Sequence, residues 1–96
     1  MISINSSNFD SIIKDRVVVQ FSATWCGPCK ILSQTIETNK EKFNTPFFKI
    51  DLEESMDIAK SYSVKAVPTL ILFEGGKEVK RLTGSKPLDK LLEFAN

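Results

Sequence analysis

The chain has 96 residues, 13 Lys and Arg against 12 Asp and Glu, two Cys, one Trp and no His. That length builds one small core and not two, so residues 1–96 are read as a single domain. A net charge of +1 spread along the chain argues against a nucleic-acid surface, and no apolar run approaches the ~18–20 residues that span a bilayer. The opening Met1-Ile2-Ser3-Ile4-Asn5-Ser6 lacks a basic start and an apolar signal core. The expected location is therefore cytoplasmic, a reducing compartment where a close cysteine pair is more readily catalytic than structural.

Met1 to Ile4 is predicted to form a short strand. Asn5-Ser6-Ser7 offers a helix cap, followed by a short apolar face of Phe9, Ile12 and Ile13. Arg16 to Ser22 (RVVVQFS) is β-branched and nearly continuously apolar, as in a strand covered on both faces. Thr24 to Cys26 turns out of it. From Pro28 to about Phe43 the spacing is helical, with Ile31, Leu32, Ile36 and Phe43 on or near one face. Asn44-Thr45-Pro46 breaks that helix. Phe47 to Leu52 is a strand, and Ser55 to Tyr62 a helix with Met56, Ala59 and Tyr62 inward. Thr69 to Phe73 is a buried strand. Glu74-Gly75-Gly76-Lys77 is a hairpin turn into the amphipathic strand Glu78 to Thr83. Pro87 to Ala95 closes the chain as a helix with Leu88, Leu91 and Leu92 inward. The order β-α-β-α-β-α-β-β-α predicts an α/β fold. Strands alternating with helices call for parallel crossovers, the final hairpin is antiparallel, and the result is a mixed sheet between helices.

Both cysteines fall in Trp25-Cys26-Gly27-Pro28-Cys29-Lys30, where the second strand hands over to its helix. In open α/β sheets, crevices form at the carboxyl ends of strands. Two thiols separated by two residues can close a disulfide ring and open it again. At a helix start, unpaired N–H groups and the dipole favour negative charge on the first sulfur, where a Cys of pKa ~8.5 can fall to roughly 3.5–7.5. Pro28 suits the first helical turn, and Gly27 leaves the backbone open to an approaching chain. Cys26 is therefore expected to be the attacking thiol, exposed at the helix mouth, with Cys29 one turn deeper as the resolving thiol. Two Cys and no His cannot supply the four ligands of structural zinc within one chain. A static disulfide across two residues contributes little, and inert core thiols leave the Gly-Pro insert unexplained.

Phe21, Ala23, Trp25-Cys26-Gly27-Pro28-Cys29-Lys30, Lys49, Ala66-Val67-Pro68-Thr69, Gly75-Gly76 and Gly84 together resemble the thioredoxin family over nearly the whole chain. The resemblance implies a thioredoxin fold, a Cys26–Cys29 redox disulfide, and a cis Val67–Pro68 bond facing the pair. It also implies that the Val67 backbone pairs with an extended substrate segment by strand addition. Trp25, Gly27, Pro28, Val67, Pro68 and Gly84 would then form a flat apolar patch around Cys26, with Lys30 helping to hold negative charge at the helix start. It implies reduction of protein disulfides, a monomer that holds no metal or cofactor of its own, and regeneration by an NADPH-dependent flavin-containing thioredoxin reductase. With a Gly-Pro insert and no His, the pair is expected to act as a reductant. The rival reading is a redox-independent docking subunit, which would need the patch but not the sulfurs.

Three positions depart from the family pattern. Gln20 stands where the family usually carries a buried Asp, near the lysine matched by Lys49. An amide cannot accept a proton as a carboxylate does. Gln20 is thus expected to be a core amide bonded to backbone or water, with Cys29 deprotonated through water, aided by Lys49 or the departing substrate thiolate, and the mixed disulfide resolved more slowly near neutral pH than with Asp in place. Ser22 replaces a common Trp and leaves less packing under the site. Gln34 replaces a common helix-kinking Pro and should let the helix run straighter. Glu53-Glu54, Lys40-Glu41-Lys42 and Lys80-Arg81 are read as ordinary surface.

Overall fold

A computed structural model describes residues 1–96. The elements run β1 (Ile2–Ile4), α1 (Phe9–Ile12), β2 (Val17–Ser22), α2 (Gly27–Thr38), a 3₁₀ turn at Lys40–Lys42, β3 (Phe47–Asp51), α3 (Met56–Ser61), β4 (Thr69–Glu74), β5 (Lys77–Thr83) and α4 (Leu88–Ala95). Every residue of β2 is buried, which is why its sequence shows no alternation. It is the central strand of a five-stranded sheet in the order β1-β3-β2-β4-β5.

β3 runs parallel to both β1 and β2, whereas β4 is antiparallel to β2 and β5 to β4. The expected parallel crossover therefore fails at β4. The chain re-enters the sheet from the end it left. The β4–β5 turn is the expected two-residue hairpin, with Gly75 and Gly76 at φ 61° and 81°, the left-handed geometry that matches strand twist.

Each face of the sheet carries its own core. Val17, Val19, Phe21, Ile50, Ile71 and Phe73 pack beneath α1 and α3 with Phe9 and Ala59. Rings there meet edge-on or tilted, Phe73 lying 5.2 Å from Tyr62 and 5.5 Å from Phe9. On the other face Val18, Leu70 and Leu72 pack against Leu32 and Ile36 of α2 and Leu91, Phe94 and Ala95 of α4.

Several local expectations are corrected. Ile31 is 64 % exposed because Cys29, Leu32 and Ile36 already fill the inner stripe of α2. Met56 is 53 % exposed at the head of α3, while Ala59 and Tyr62 pack against the core as expected. α2 stops at Thr38, where Asn39 folds back to donate to the Thr35 carbonyl. The cap of α1 is Asn8, while the Asn5 carbonyl accepts from the Asn8 and Phe9 N–H groups, so Asn5-Ser6-Ser7 forms the turn before the helix. In α4 Leu88 and Leu92 are half-buried, and Phe94 supplies the deeper contact.

Candidate active site: the cysteine pair at the head of α2

β2 ends at Ser22, Ala23 and Thr24 lead out of it, and Cys26 caps α2 from an extended conformation with Pro28 in the first turn. This geometry follows from the sequence: Pro28 needs no N–H there, and its ring fixes the helical φ. Cys26 and Cys29 form a disulfide with their Cα atoms 5.3 Å apart. The Cys26 sulfur accepts a hydrogen bond from the Cys29 N–H at 3.1 Å. That donor is one of the otherwise unpaired amides of the helix start, so it favours negative charge on the first sulfur once the bond opens.

Cys26 is 4 % exposed and Cys29 2 %. The expectation that Cys26 stands open is thus corrected for the disulfide form. Cys26 is bonded to Cys29, and the pair packs with Ala23, Leu52 and Val67. Leu52 was not anticipated as a site residue; its position just past the end of β3 was the available signal.

Trp25 is 67 % exposed rather than buried in a core. Its indole Nε1 donates to Glu53 Oε1 at 3.0 Å. Glu53, read from sequence as plain surface, is held by a turn in which Asp51 Oδ1 accepts from the Glu53 and Glu54 N–H groups at 2.8 and 3.3 Å. The signal for this was an Asp at a strand end, whose side chain can accept from the backbone N–H two residues on in an Asx turn.

Gly27 and Pro28 are exposed, and a side chain at Gly27 would meet no protein atom within 4 Å. Val67–Pro68 is cis. Val67 is half-buried against the cysteines, and Pro68 itself is buried, so it shapes the patch from beneath. The Gly84 N–H donates to the Pro68 carbonyl at 2.8 Å, with Gly84 at φ 87°, a left-handed position that favours glycine. The Val67 N–H and C=O form no hydrogen bond within the chain.

Gln20 is fully buried beneath the pair. Its Nε2 donates to the Cys29 carbonyl at 3.2 Å and to Ser33 Oγ at 3.1 Å, and Ser33 Oγ donates back to Gln20 Oε1 at 3.3 Å. The amide is thus bonded to backbone, with Ser33 as a partner the sequence did not reveal. Lys49 lies beside Gln20 in the β2–β3 register and is half-buried. Lys30 is exposed, and neither lysine forms an ion pair. A pocket of about 540 Å³ opens behind the pair, with Ser22, Cys29, Ser33 and Lys49 in its wall.

Comparison with known proteins decides the family. The thioredoxin family model matches residues 1–96. The chain belongs to the thioredoxin family. It is 47 % identical to thioredoxin-1 of Saccharomyces cerevisiae over 85 residues, covering 85 % of this chain and 82 % of the relative. It is 41 % identical to a thioredoxin of Chlamydia trachomatis, covering 95 % and 91 %. Among solved structures, a mutant thioredoxin from Halobacterium salinarum superposes with TM-score 0.89 at 33 % identity, covering 98 % of this chain and 86 % of that one. Fasciola hepatica thioredoxin superposes with TM-score 0.85 at 30 % identity over the whole of both chains. The fold is the thioredoxin fold, and the cysteine pair is that of a thiol–disulfide oxidoreductase acting as a protein-disulfide reductase.

Proposed function

We propose that Cys26 attacks a target disulfide and that Cys29 resolves the resulting mixed disulfide. The observation that carries this reading is the hydrogen bond from the Cys29 N–H to the Cys26 sulfur at the head of α2. It gives Cys26, and not Cys29, the helix-terminal donor that stabilises a thiolate. Cys29 sits in the first turn behind it, as an internal displacing group must.

The unpaired N–H and C=O of Val67 support docking of an extended substrate segment as an added strand, with Trp25, Gly27, Pro28 and Gly84 around it. The Gly-Pro insert and the absence of His leave the reduced thiolate without extra positive charge, which favours electron donation to targets. Every redox-active atom is a cysteine sulfur of the chain. An NADPH-dependent flavin-containing thioredoxin reductase then restores the dithiol. The protein works as a monomer in the cytoplasm; no helix is long and apolar enough to cross a membrane.

Reduction of insulin by the protein with a small dithiol donor tests the assignment. Cys26→Ser should fall to the donor-only background. Cys29→Ser should lose turnover yet accumulate a covalent complex with its target, visible without reducing agent. Turnover retained by Cys26→Ser, or trapping by Cys26→Ser instead, would reverse the roles.

A further inference from the structure

The resolving step requires Cys29, which is 2 % exposed in the disulfide form, to lose its proton as a thiol. A proton leaving a site with so little contact with solvent needs a path to water. The polar side chain bonded to the Cys29 backbone is Gln20, a neutral amide with no basic lone pair to offer. Its two N–H groups are directed to the Cys29 carbonyl and to Ser33 Oγ, and its oxygen faces the Ser33 hydroxyl. An amide free to rotate could present either end to Cys29. The Cys29 carbonyl selects the donor end, and Ser33 Oγ, which bonds to both ends of the amide, holds it in place.

Ser33 has a second neighbour. It shares with Cys29 the wall of the pocket behind the disulfide, which is lined mostly by polar and charged residues and is large enough for several waters. The charged groups facing the same space are Lys30 on α2, Lys49 and Asp51 on β3, and Glu54 in the loop before α3. Both signs are present. Asp51 Oδ1 is already engaged by two backbone N–H groups. The pocket whose wall Ser33 shares with Cys29 therefore connects the resolving turn to solvent.

We propose that Ser33 is a positioning residue for the resolving step: it holds in place the Gln20 amide that is bonded to the Cys29 carbonyl, and it lines the route by which the Cys29 proton reaches water. The proposal rests on the assignment of Cys29 as the resolving thiol. In the step, the Cys29 S–H proton passes to water in the pocket. The Cys29 sulfur bonds to the Cys26 sulfur as the Cys26–substrate S–S bond breaks. The substrate sulfur leaves with the electron pair and takes a proton from solvent. The cysteine pair is oxidised by two electrons and the substrate disulfide is reduced by two. Ser33 neither bonds to nor exchanges electrons with any sulfur.

Stopped-flow reaction of the reduced protein with 5,5′-dithiobis(2-nitrobenzoate) separates the steps. The first nitrothiobenzoate released reports attack by one thiol, and the second reports internal resolution. In Ser33→Ala, which keeps a good helix former on α2, the first phase should stay within about twofold of the parent, since the variant leaves the helix-start donor in place. The second phase should slow about threefold to tenfold at pH 7, the rate equivalent of one hydrogen bond. The two pH profiles should converge as pH rises and hydroxide supplies the base. Ser33→Thr, which restores the hydroxyl, should recover the parent profile. An unchanged second phase, or a loss equal at every pH, would overturn the proposal. The role assignment fails in a different way: Cys29→Ser would then lose the first phase while Cys26→Ser kept it.

Discussion

On the face of β2 that α2 covers, Val18 and Gln20 stand two residues apart in opposite surroundings. Val18 lies in register with Phe47 on β3 and Leu72 on β4, and its row packs against Leu32, Ile36 and Leu91. Gln20 lies in register with Lys49, which pairs in turn with Ser3, and its amide bonds to Ser33 and the Cys29 carbonyl. One row further, Ser22 pairs with Asp51 beside the pocket. The same strand thus forms a dry floor at one end and a hydrogen-bonded cradle at the other. Polar side chains enter this face only where each finds a partner or reaches a pocket, because an unpaired buried polar group costs about 1–3 kcal/mol. The two ends should therefore respond differently to substitution: the floor through stability, the cradle through chemistry.

The largest effect should come from the floor. Leu72 is 1 % exposed, and Leu72→Ala should lower the free energy of unfolding by about 2–5 kcal/mol. A denaturant titration reads this directly. Per folded molecule, the rate of disulfide exchange should stay close to that of the parent, since Leu72 touches neither sulfur. A matching loss of intrinsic exchange rate would show that the two ends act as one unit.

Converting the cradle to the family's usual residue sharpens the contrast. Gln20→Asp places a carboxyl in a fully buried site and should cost about 1–3 kcal/mol near neutral pH. Burial raises the carboxyl pKa above its unfolded value, so the folded state binds the proton more tightly. The penalty should be smallest below about pH 4 and grow as pH rises toward the folded pKa. Denaturant midpoints measured from pH 3 to 8, on reduced and oxidised protein, test the sign. The variant should also resolve mixed disulfides faster near neutrality, because a carboxylate can take the proton that the amide cannot. A variant as stable as the parent at pH 8 would mean that Lys49 neutralises the new charge, and the division between floor and cradle would be less sharp than stated.

What could be read from the sequence divides along the same line. β2 and β4 announce themselves as β-branched apolar runs, and the cysteine pair announces its own chemistry because two-residue spacing with Pro28 specifies a helix head. Each of those signals is local. The reversal of β4 shows only in its pairing with β2, a three-dimensional relation that no window of sequence carries. Ile31 and Met56 are apolar yet exposed, since periodicity identifies a stripe but not its exact edge. The Gln20–Ser33 pair joins residues 13 apart through side-chain geometry, and the Trp25–Glu53 bond joins residues 28 apart. Neither spacing has a recognisable pattern.

The smallest effect is expected at the far edge of the sheet, remote from both ends of the α2 face. There Arg81 Nη2 donates to Glu78 Oε1 at 2.6 Å along β5 and to the Tyr62 carbonyl at 2.8 Å, tying the edge strand to the end of α3. The hydrogen bond from Arg81 holds the Glu78 carboxyl below the usual carboxylate range, partly opposed by desolvation. A depressed acid contributes stability above its unfolded pKa and loses it as pH falls through the folded value. Both side chains remain about a third exposed, so water screens the pair and its worth is less than about 1 kcal/mol. Glu78→Gln should therefore lower stability slightly at pH 7, with the difference from the parent closing as pH drops below about 4. Exchange rates should not change at any pH. If this substitution altered the resolving phase, coupling would have to run from β5 through β4 into β2, and the cradle could no longer be treated as a local device.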